Sequence, residues 1–257
     1  MNKLFISIAI MTIATTAFAQ SEQEIVSSET PKNSWGAKLI ESNFHLSLEL
    51  QTKYIWRGVE MITDEAAPVL FPCVNYSNNG FYAYVTGGYA INGKYAMVGL
   101  GLSYTYKWIT VALNDIYYPT TTIPIDRYFN YKQQETGHCL EALVTIAPEK
   151  IPVYLIVSNF FYGADKRLDG KQAYSTYAEL GTYYDFLNYN ELSLAVGAAL
   201  NKSCYNGYDK DFSICNIELK YTYYATIKNF SLPLSVAYIL NPVYEKSYVN
   251  FVASIAF

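Results

Sequence analysis

The sequence predicts an all-β protein, an antiparallel up-and-down transmembrane β-barrel of twelve strands, and three observations support this. Segments of about ten residues carry apolar side chains on one face and small or polar ones on the other, as membrane barrels do. The connections between segments are short and long in turn, which is also typical of outer-membrane barrels. The last segment keeps a period of two up to Phe257. We therefore expect the last strand to pair with the first, so that no sheet edge faces lipid.

The first segment shows the strand period most clearly. In "FHLSLELQTKYIW" the alternate residues from Phe44 to Trp56 are mostly apolar, and the residues between them are mostly polar. A period of two is the side-chain repeat of a strand. We place the strands at 43–57, 68–77, 81–91, 95–108, 109–118, 137–147, 152–163, 173–186, 191–201, 212–227, 230–240 and 247–257.

Two features complicate this assignment. Pro72 and Pro233 fall inside predicted strands, and proline removes a ladder hydrogen bond, so we expect a bulge or local irregularity at each. The segments 81–91, 109–118 and 152–163 are apolar on both faces, which leaves their orientation open.

The connections divide into two sets. The short ones lie at 77–80, near Trp108, and at 147–152, 187–191 and 228–230. The longer ones, at 58–67, 119–136, 163–172 and 202–211, are charged or contain Gly or Pro. Because outer-membrane barrels carry their longer loops on the extracellular side, we expect the second set to lie there.

The N-terminal segment has the pattern of an export signal. Lys3 precedes an apolar run from Leu4 to Ile13, and Ala17-Phe18-Ala19 forms a small-x-small cleavage pattern. The run is too short for the roughly 20 residues of a membrane helix. We therefore predict a signal peptide over 1–19, a flexible periplasmic tail over 20–42 and a barrel over 43–257.

Composition narrows the class of protein. The chain is 51% hydrophobic, 17% aromatic and only 16% charged, with a net charge of -4. A secreted β-sandwich or a lipocalin-like barrel also alternates apolar and polar residues along its strands, but its outer face is solvated. The non-apolar strand faces of this chain hold Gly, Ala, Ser and Tyr rather than Lys and Glu. This favours the membrane barrel. Phosphate binding needs concentrated basic charge, so the absence of a Lys/Arg cluster argues against nucleic acid as a partner.

Several short motifs add a family resemblance. "YIWRG" at 54–58, "APVLFPCVNYSNNGFYAYV" at 67–85 and "DIYYP" at 115–119 resemble a bacterial outer-membrane β-barrel family of uncharacterised porins, the TorF type. "FSLPLSVAYILNP" is similar to Bacteroidetes members. The resemblance implies an outer-membrane barrel with porin-like transport. The terminal aromatic residue resembles the signal that barrel-assembly machinery recognises, so outer-membrane lipid and that machinery are the expected partners.

Catalytic motifs are scarce in this sequence. There are two histidines, His45 and His138, and neither a Gly-x-Ser-x-Gly elbow nor a His-Glu-x-x-His motif occurs. A triad is recognised by geometry rather than by spacing, so an outer-membrane enzyme stays an alternative. We expect no enzyme activity, no cofactor and no metal site.

The polar residues on inward faces are the candidate site. In barrels such groups line water or pair across the interior. They serve either as the lining of a passive channel for small solutes or as salt bridges that fill a non-conducting barrel whose function lies in its loops. Inward glycines such as Gly101 and Gly181 keep several of these faces small. The predicted lumen-lining residues are Glu49, Lys53, Arg57, Glu141, Glu179, Asp185, Glu218 and Lys220.

The chain contains four cysteines, and its predicted export route is oxidising, which permits disulfides. Cys204 and Cys215 bracket the 202–211 loop, so a disulfide between them is sterically plausible, and Cys73 and Cys139 either pair or stay free. Spacing alone leaves three connectivities open.

Overall fold

A computed structural model describes residues 43–63, 66–119, 127–227 and 230–256. The predicted signal peptide and periplasmic tail lie outside these residues. The strands are β1 (Phe44–Gln51), β2 (Ile55–Trp56), β3 (Val59–Glu60), β4 (Val69–Asn78), β5 (Phe81–Ala90), β6 (Ala96–Tyr106), β7 (Ile109–Tyr117), β8 (His138–Ile146), β9 (Val153–Gly163), β10 (Thr176–Phe186), β11 (Asn190–Ala199), β12 (Ser213–Ile227), β13 (Phe230–Asn241) and β14 (Lys246–Ala256).

Twelve of these strands form a closed antiparallel barrel in the order β1-β14-β13-β12-β11-β10-β9-β8-β7-β6-β5-β4. The first strand pairs with β4 on one side and with β14 on the other, where Glu49 lies opposite Ser254. Closure pairs the backbone groups of the first and last strands, which would otherwise be sheet edges. The predicted twelve-stranded barrel is confirmed. The remaining strands, β2 and β3, form a separate two-stranded sheet.

Tight turns join the strands at one end of the barrel. Asn79 and Gly80 between β4 and β5 have φ values of 46° and 83°, and Leu187 and Asn188 between β10 and β11 have 51° and 63°. The two-residue turn at Asn79 and Gly80 has positive φ at both positions and matches the type I′ hairpin, whose twist fits the strands it joins. The β10–β11 connection is a tight loop of three residues. The connections at 163–172 and 202–211 lie at the opposite end, as the sequence predicts.

The outer face of the barrel is apolar. Leu102, Val111, Leu194 and Phe251 expose 54%, 53%, 45% and 57% of their surface. The inner face carries buried polar groups instead, among them Glu49, Asn114, Glu141 and Ser158. A water-soluble barrel would place these two classes the other way round. Within the described part of the chain, no helix has the length and apolar character needed to cross a membrane.

Tyrosine rings cover the inward glycines. A Cβ on Gly101 would lie 1.8 Å from the ring of Tyr84, its partner on β5, and a Cβ on Gly181 would lie 2.1 Å from the ring of Tyr154. The missing side chain of each glycine thus makes room for a ring from the next strand, a cross-strand pairing that stabilises glycine in sheets. These glycines do not leave open space in the bore, contrary to the sequence-based expectation.

The prolines behave differently from each other. The β4–β5 pairing is interrupted at Phe71 and Pro72 and resumes in the same register at Cys73, so the predicted irregularity at Pro72 is a gap in the ladder. Pro233 pairs with Tyr224 of β12 in unbroken register, so the predicted bulge or local irregularity at Pro233 is wrong. The β13–β14 pairing begins at Leu234, so proline's missing N–H interrupts no ladder at this position.

Candidate functional site

The chain leaves the barrel wall after Gln51, and the prediction that the first strand continues to residue 57 is wrong. Residues 54–62 fold back as a hairpin inside the bore, which we call the inward hairpin; it contains β2 and β3. Its turn is formed by Arg57 and Gly58, with φ values of 51° and 79°. Tyr54 and Trp56, which alternation places on the lipid face, are instead buried at 1% and 5% exposure.

The inward hairpin reaches across the bore. Tyr54 packs edge-on against Phe71 of β4, with ring centroids 5.0 Å apart. The guanidinium of Arg57 lies 4.8 Å from the ring of Tyr177 on β10. Since β4 and β10 stand six positions apart in a ring of twelve strands, they are opposite walls. The hairpin therefore spans the bore near the end that carries the long connections.

Backbone contacts fix the hairpin turn against a third wall. The carbonyl of Gly58 accepts a hydrogen bond of 2.8 Å from Nδ2 of Asn241 on β13. A Cβ on Gly58 would lie 2.0 Å from the carbonyl oxygen of Cys215 on β12. Glycine is thus required here both for its positive φ and for the close approach of the two backbones.

Arg57 lies in a pocket of rings and one carboxylate. Its Nη1 donates to Oε1 of Glu141 at 2.6 Å and to the hydroxyl oxygen of Tyr205 at 2.5 Å. The guanidinium also lies over the rings of Trp56 at 4.6 Å and Tyr205 at 5.6 Å. The side chains of Arg57 and Glu141 are only 2% and 3% exposed, so this is a buried, fully desolvated ion pair.

The other deep carboxylates have neutral partners. Glu179 accepts hydrogen bonds from Tyr177, from Tyr154 at 3.1 Å and from Asn216 at 3.2 Å. Glu49 accepts from Gln51 at 2.6 Å and from Ser254 at 3.1 Å. Glu141 differs because it accepts from Asn114 at 3.1 Å as well as from the cation.

The remaining predicted site residues lie elsewhere. Lys53 sits at the base of the inward hairpin, 3.2 Å from Glu60. Glu218 and Lys220 are 4.0 Å apart on β12, further along the bore. Asp185 is exposed near the tight-turn end of β10. The structure thus joins Arg57 with Glu141, and Glu218 with Lys220, but it does not gather the eight residues into one ring.

All four cysteines are free thiols in the structure, so the predicted Cys204–Cys215 disulfide is not formed. The thiol of Cys215 points to the carbonyl of Gly197 on the neighbouring strand at 3.8 Å. Cys204 belongs to a short 3-10 helix, Cys204–Asn206, whose first N–H donates to Ser175 at 3.0 Å. Burial, followed by the nearby carboxylate of Asp165, raises the pKa of the Cys204 thiol to about 12.

A histidine ties the 127–137 loop to the barrel rim. The imidazole of His138 is buried, with Nδ1 2.7 Å from Asp115 Oδ1 and Nε2 hydrogen bonded to the carbonyl of Tyr128. Tyr131 stacks on that imidazole at 4.0 Å and donates to Asp115 at 2.6 Å. No cluster of three metal-ligating side chains occurs among the residues that the structure describes.

Comparison with known proteins shows the class of fold. No protein-family model and no curated protein sequence matches the chain, so the TorF-type resemblance stays a prediction. The solved NanC porin is similar to 82% of this chain over 98% of its own, with a TM-score of 0.51 and 11% identity. The KdgM porin matches 83% of this chain over 98% of its own, with a TM-score of 0.48 and 9% identity. The match to NanC and the closed barrel of twelve strands together show that the chain has a β-barrel fold of the outer-membrane porin kind.

Proposed function

We propose that this protein is an outer-membrane, porin-like passive channel for small solutes, which the inward hairpin closes in this structure. The observation that carries the proposal is a segment that crosses the bore without belonging to its wall. The apolar outer face and polar inner face support membrane insertion, because a barrel in lipid exposes apolar groups and keeps polar groups in its lumen.

The separation of the hairpin from the barrel sheet favours a gate over a permanent filling. A small barrel is filled by side chains of its own wall, whereas twelve strands enclose more room. Here the room is taken by a loop segment that is not part of the wall. It is held by the packing of Tyr54 and Trp56 against wall rings, by two side-chain hydrogen bonds of Arg57 and by one from Asn241. The hydrogen bonds can be exchanged for bonds to water when the segment withdraws as a local unit.

The alternative is a non-conducting barrel that acts through its outer loops. The observation in its favour is the buried Arg57–Glu141 pair, because removing one partner of such a pair leaves an uncompensated charge. Under either hypothesis we propose that the partners are outer-membrane lipid and barrel-assembly machinery, that the exported chain loses a signal peptide, and that the protein is not an enzyme.

A pair of glycine substitutions tests the channel. Gly58 and Gly170 have nearly equal φ values, 79° and 78°, but a Cβ on Gly170 meets nothing within 4 Å. Gly58→Ala should push the hairpin off the β12 wall, while Gly170→Ala adds similar local strain in an outer loop. In planar bilayers, Gly58→Ala should open far more often than the parent and pass current without an energy source. Gly170→Ala should match the parent.

The contrary result is equally clear. Folded protein that stays silent in both the parent and Gly58→Ala, over repeated reconstitutions, would overturn the channel and favour the non-conducting barrel. Equal opening in Gly58→Ala and Gly170→Ala would show that the hairpin does not close the bore.

A further inference from the structure

The pocket around Arg57 is built mostly by the barrel and only partly by the hairpin. Glu141 comes from β8, Tyr177 from β10 and Tyr205 from the short helix after β11. Asn114 of β7 holds the second oxygen of Glu141 at 3.1 Å. Of the groups around the guanidinium, Trp56 alone belongs to the hairpin. Withdrawal of the hairpin would therefore leave a carboxylate flanked by two tyrosine rings.

The charge in this pocket is complementary to a cation. The other deep carboxylates, Glu49 and Glu179, are hydrogen bonded to neutral groups, and Lys220 pairs with Glu218 further along the bore. Arg57 is the cation that pairs with Glu141. Without it, a buried carboxylate and aromatic faces would favour a positively charged ligand and repel an anion.

The hydrogen bonding of the pocket is incomplete with Arg57 in place. Nε of Arg57 is buried and has no hydrogen-bond partner in the structure. Oδ1 of Asn216 is also unpartnered, although the residue is only 5% exposed and its Nδ2 lies 3.4 Å from the hydroxyl of Tyr177. Buried polar atoms normally find partners. The wall thus offers an acceptor, beside Tyr177, that Arg57 does not use.

We propose that the pocket of Glu141, Tyr177, Tyr205 and Asn216 is a recognition site for a flat organic cation, such as a solute that carries a guanidinium group. Arg57 occupies this site from within the chain when the hairpin is docked. Planar guanidinium stacks on aromatic faces and pairs with carboxylates, which matches both kinds of group here. The inference that such cations pass through the channel rests on the proposed function. The inference that they bind in this pocket does not depend on it.

The experiment is a ligand titration of the Arg57→Ala variant, purified and folded in detergent. Methylguanidinium is the probe, and methylurea is the matched control with nearly the same shape and no charge. Methylguanidinium should raise the melting temperature of Arg57→Ala and change the fluorescence of Trp56 in a saturable manner. Methylurea should do neither. The parent, whose pocket is filled, should respond at least tenfold more weakly.

A second variant tests the carboxylate. Arg57→Ala combined with Glu141→Gln keeps the shape of the pocket and removes its charge, so methylguanidinium should bind at least tenfold more weakly. If Arg57→Ala does not fold alone, methylguanidinium added during refolding should restore the yield and methylurea should not.

Three outcomes would overturn the inference: no response of Arg57→Ala, equal responses to the two probes, or an unchanged affinity after Glu141→Gln. Any of these would leave Arg57–Glu141 as a structural ion pair only. Binding in detergent needs no conduction, so a positive titration with silent bilayers refutes the channel and keeps the site. Conduction without binding refutes the site and keeps the channel.

Discussion

Arg57 illustrates how much the meaning of one residue depends on where its backbone goes. By alternation it belongs to a polar strand face together with Glu49 and Lys53. In the structure its left-handed φ of 51° turns the chain inward, so the guanidinium meets Glu141, which is 84 residues away. A solvent-exposed charge on a strand and a charge in a buried ion pair differ greatly in their effect on stability.

Arg57→Ala and Lys53→Ala should therefore differ in unfolding free energy. Removing one partner of a buried pair costs about 3–5 kcal/mol. The half-exposed Lys53–Glu60 pair should contribute at most about 1 kcal/mol. Denaturant unfolding of refolded protein in detergent measures both. Equal losses would mean that Arg57 is solvated in the native barrel.

The tyrosine–glycine pairs give a second residue-scale prediction. Gly101→Ala should force the Tyr84 ring away from its site, where its hydroxyl bonds Asn114 at 3.2 Å. Such overpacking costs about 1–3 kcal/mol. In a Tyr84→Ala background the same glycine change should cost much less, with a coupling energy of about 0.5–3 kcal/mol. Strictly additive losses in this double-mutant cycle would contradict the packing.

At the scale of elements, the barrel strands agree with their sequence pattern, and the inward hairpin is the element that the pattern misassigns. The alternation of "FHLSLELQTKYIW" runs unbroken past Gln51, but the strand does not. The signal that marks the change is the Arg-Gly pair at 57–58, since a residue that tolerates positive φ followed by Gly is typical of a hairpin turn. Tyr54 and Trp56 then pack against barrel-wall rings instead of lipid.

The 127–137 loop carries the element-scale prediction. His138→Ala removes the imidazole on which Tyr131 stacks and to which the carbonyl of Tyr128 bonds, so the loop should lose its attachment to the rim. Trypsin should then cleave after the exposed Lys132 at least tenfold faster than in the parent. His45→Ala, at the far end of the barrel, is the control and should leave that rate unchanged. Equal rates in all three proteins would show that the histidine does not hold the loop.

At the scale of the whole molecule, the closed sheet carries apolar side chains on its outer face and polar side chains on its inner face. Outward residues such as Leu100 and Val196 lie in the middle of their strands, and Val196 is 39% exposed. The inner face carries the hydrogen-bonded carboxylates. Such a distribution is stable where the surrounding solvent is hydrocarbon and the interior is polar.

Charges on the outer face test this arrangement. Leu100→Arg and Val196→Arg should each lose about 2–4 kcal/mol of stability in lipid, because arginine is expensive near the bilayer midplane. Leu168→Arg is the control, since Leu168 is 97% exposed in the connection between β9 and β10. Refolding into vesicles with denaturant titration provides the measurement. Parent-like stability of both wall variants would mean that these faces do not meet lipid.

The sequence by itself determined the number of barrel strands, their approximate bounds, the two sets of connections and the outward faces of the clearly alternating strands. These follow from side-chain period and turn chemistry, which are local. Tertiary structure alone decided which face of β5, β7 and β9 points outward, that tyrosine rings fill the space over inward glycines, and that Arg57 reaches Glu141. Each of these depends on which strands become neighbours once the sheet closes, and on a chain reversal that places residues distant in sequence in one bore. No local period carries that information, because a strand pattern reads the same whether the chain continues along the wall or turns inside it.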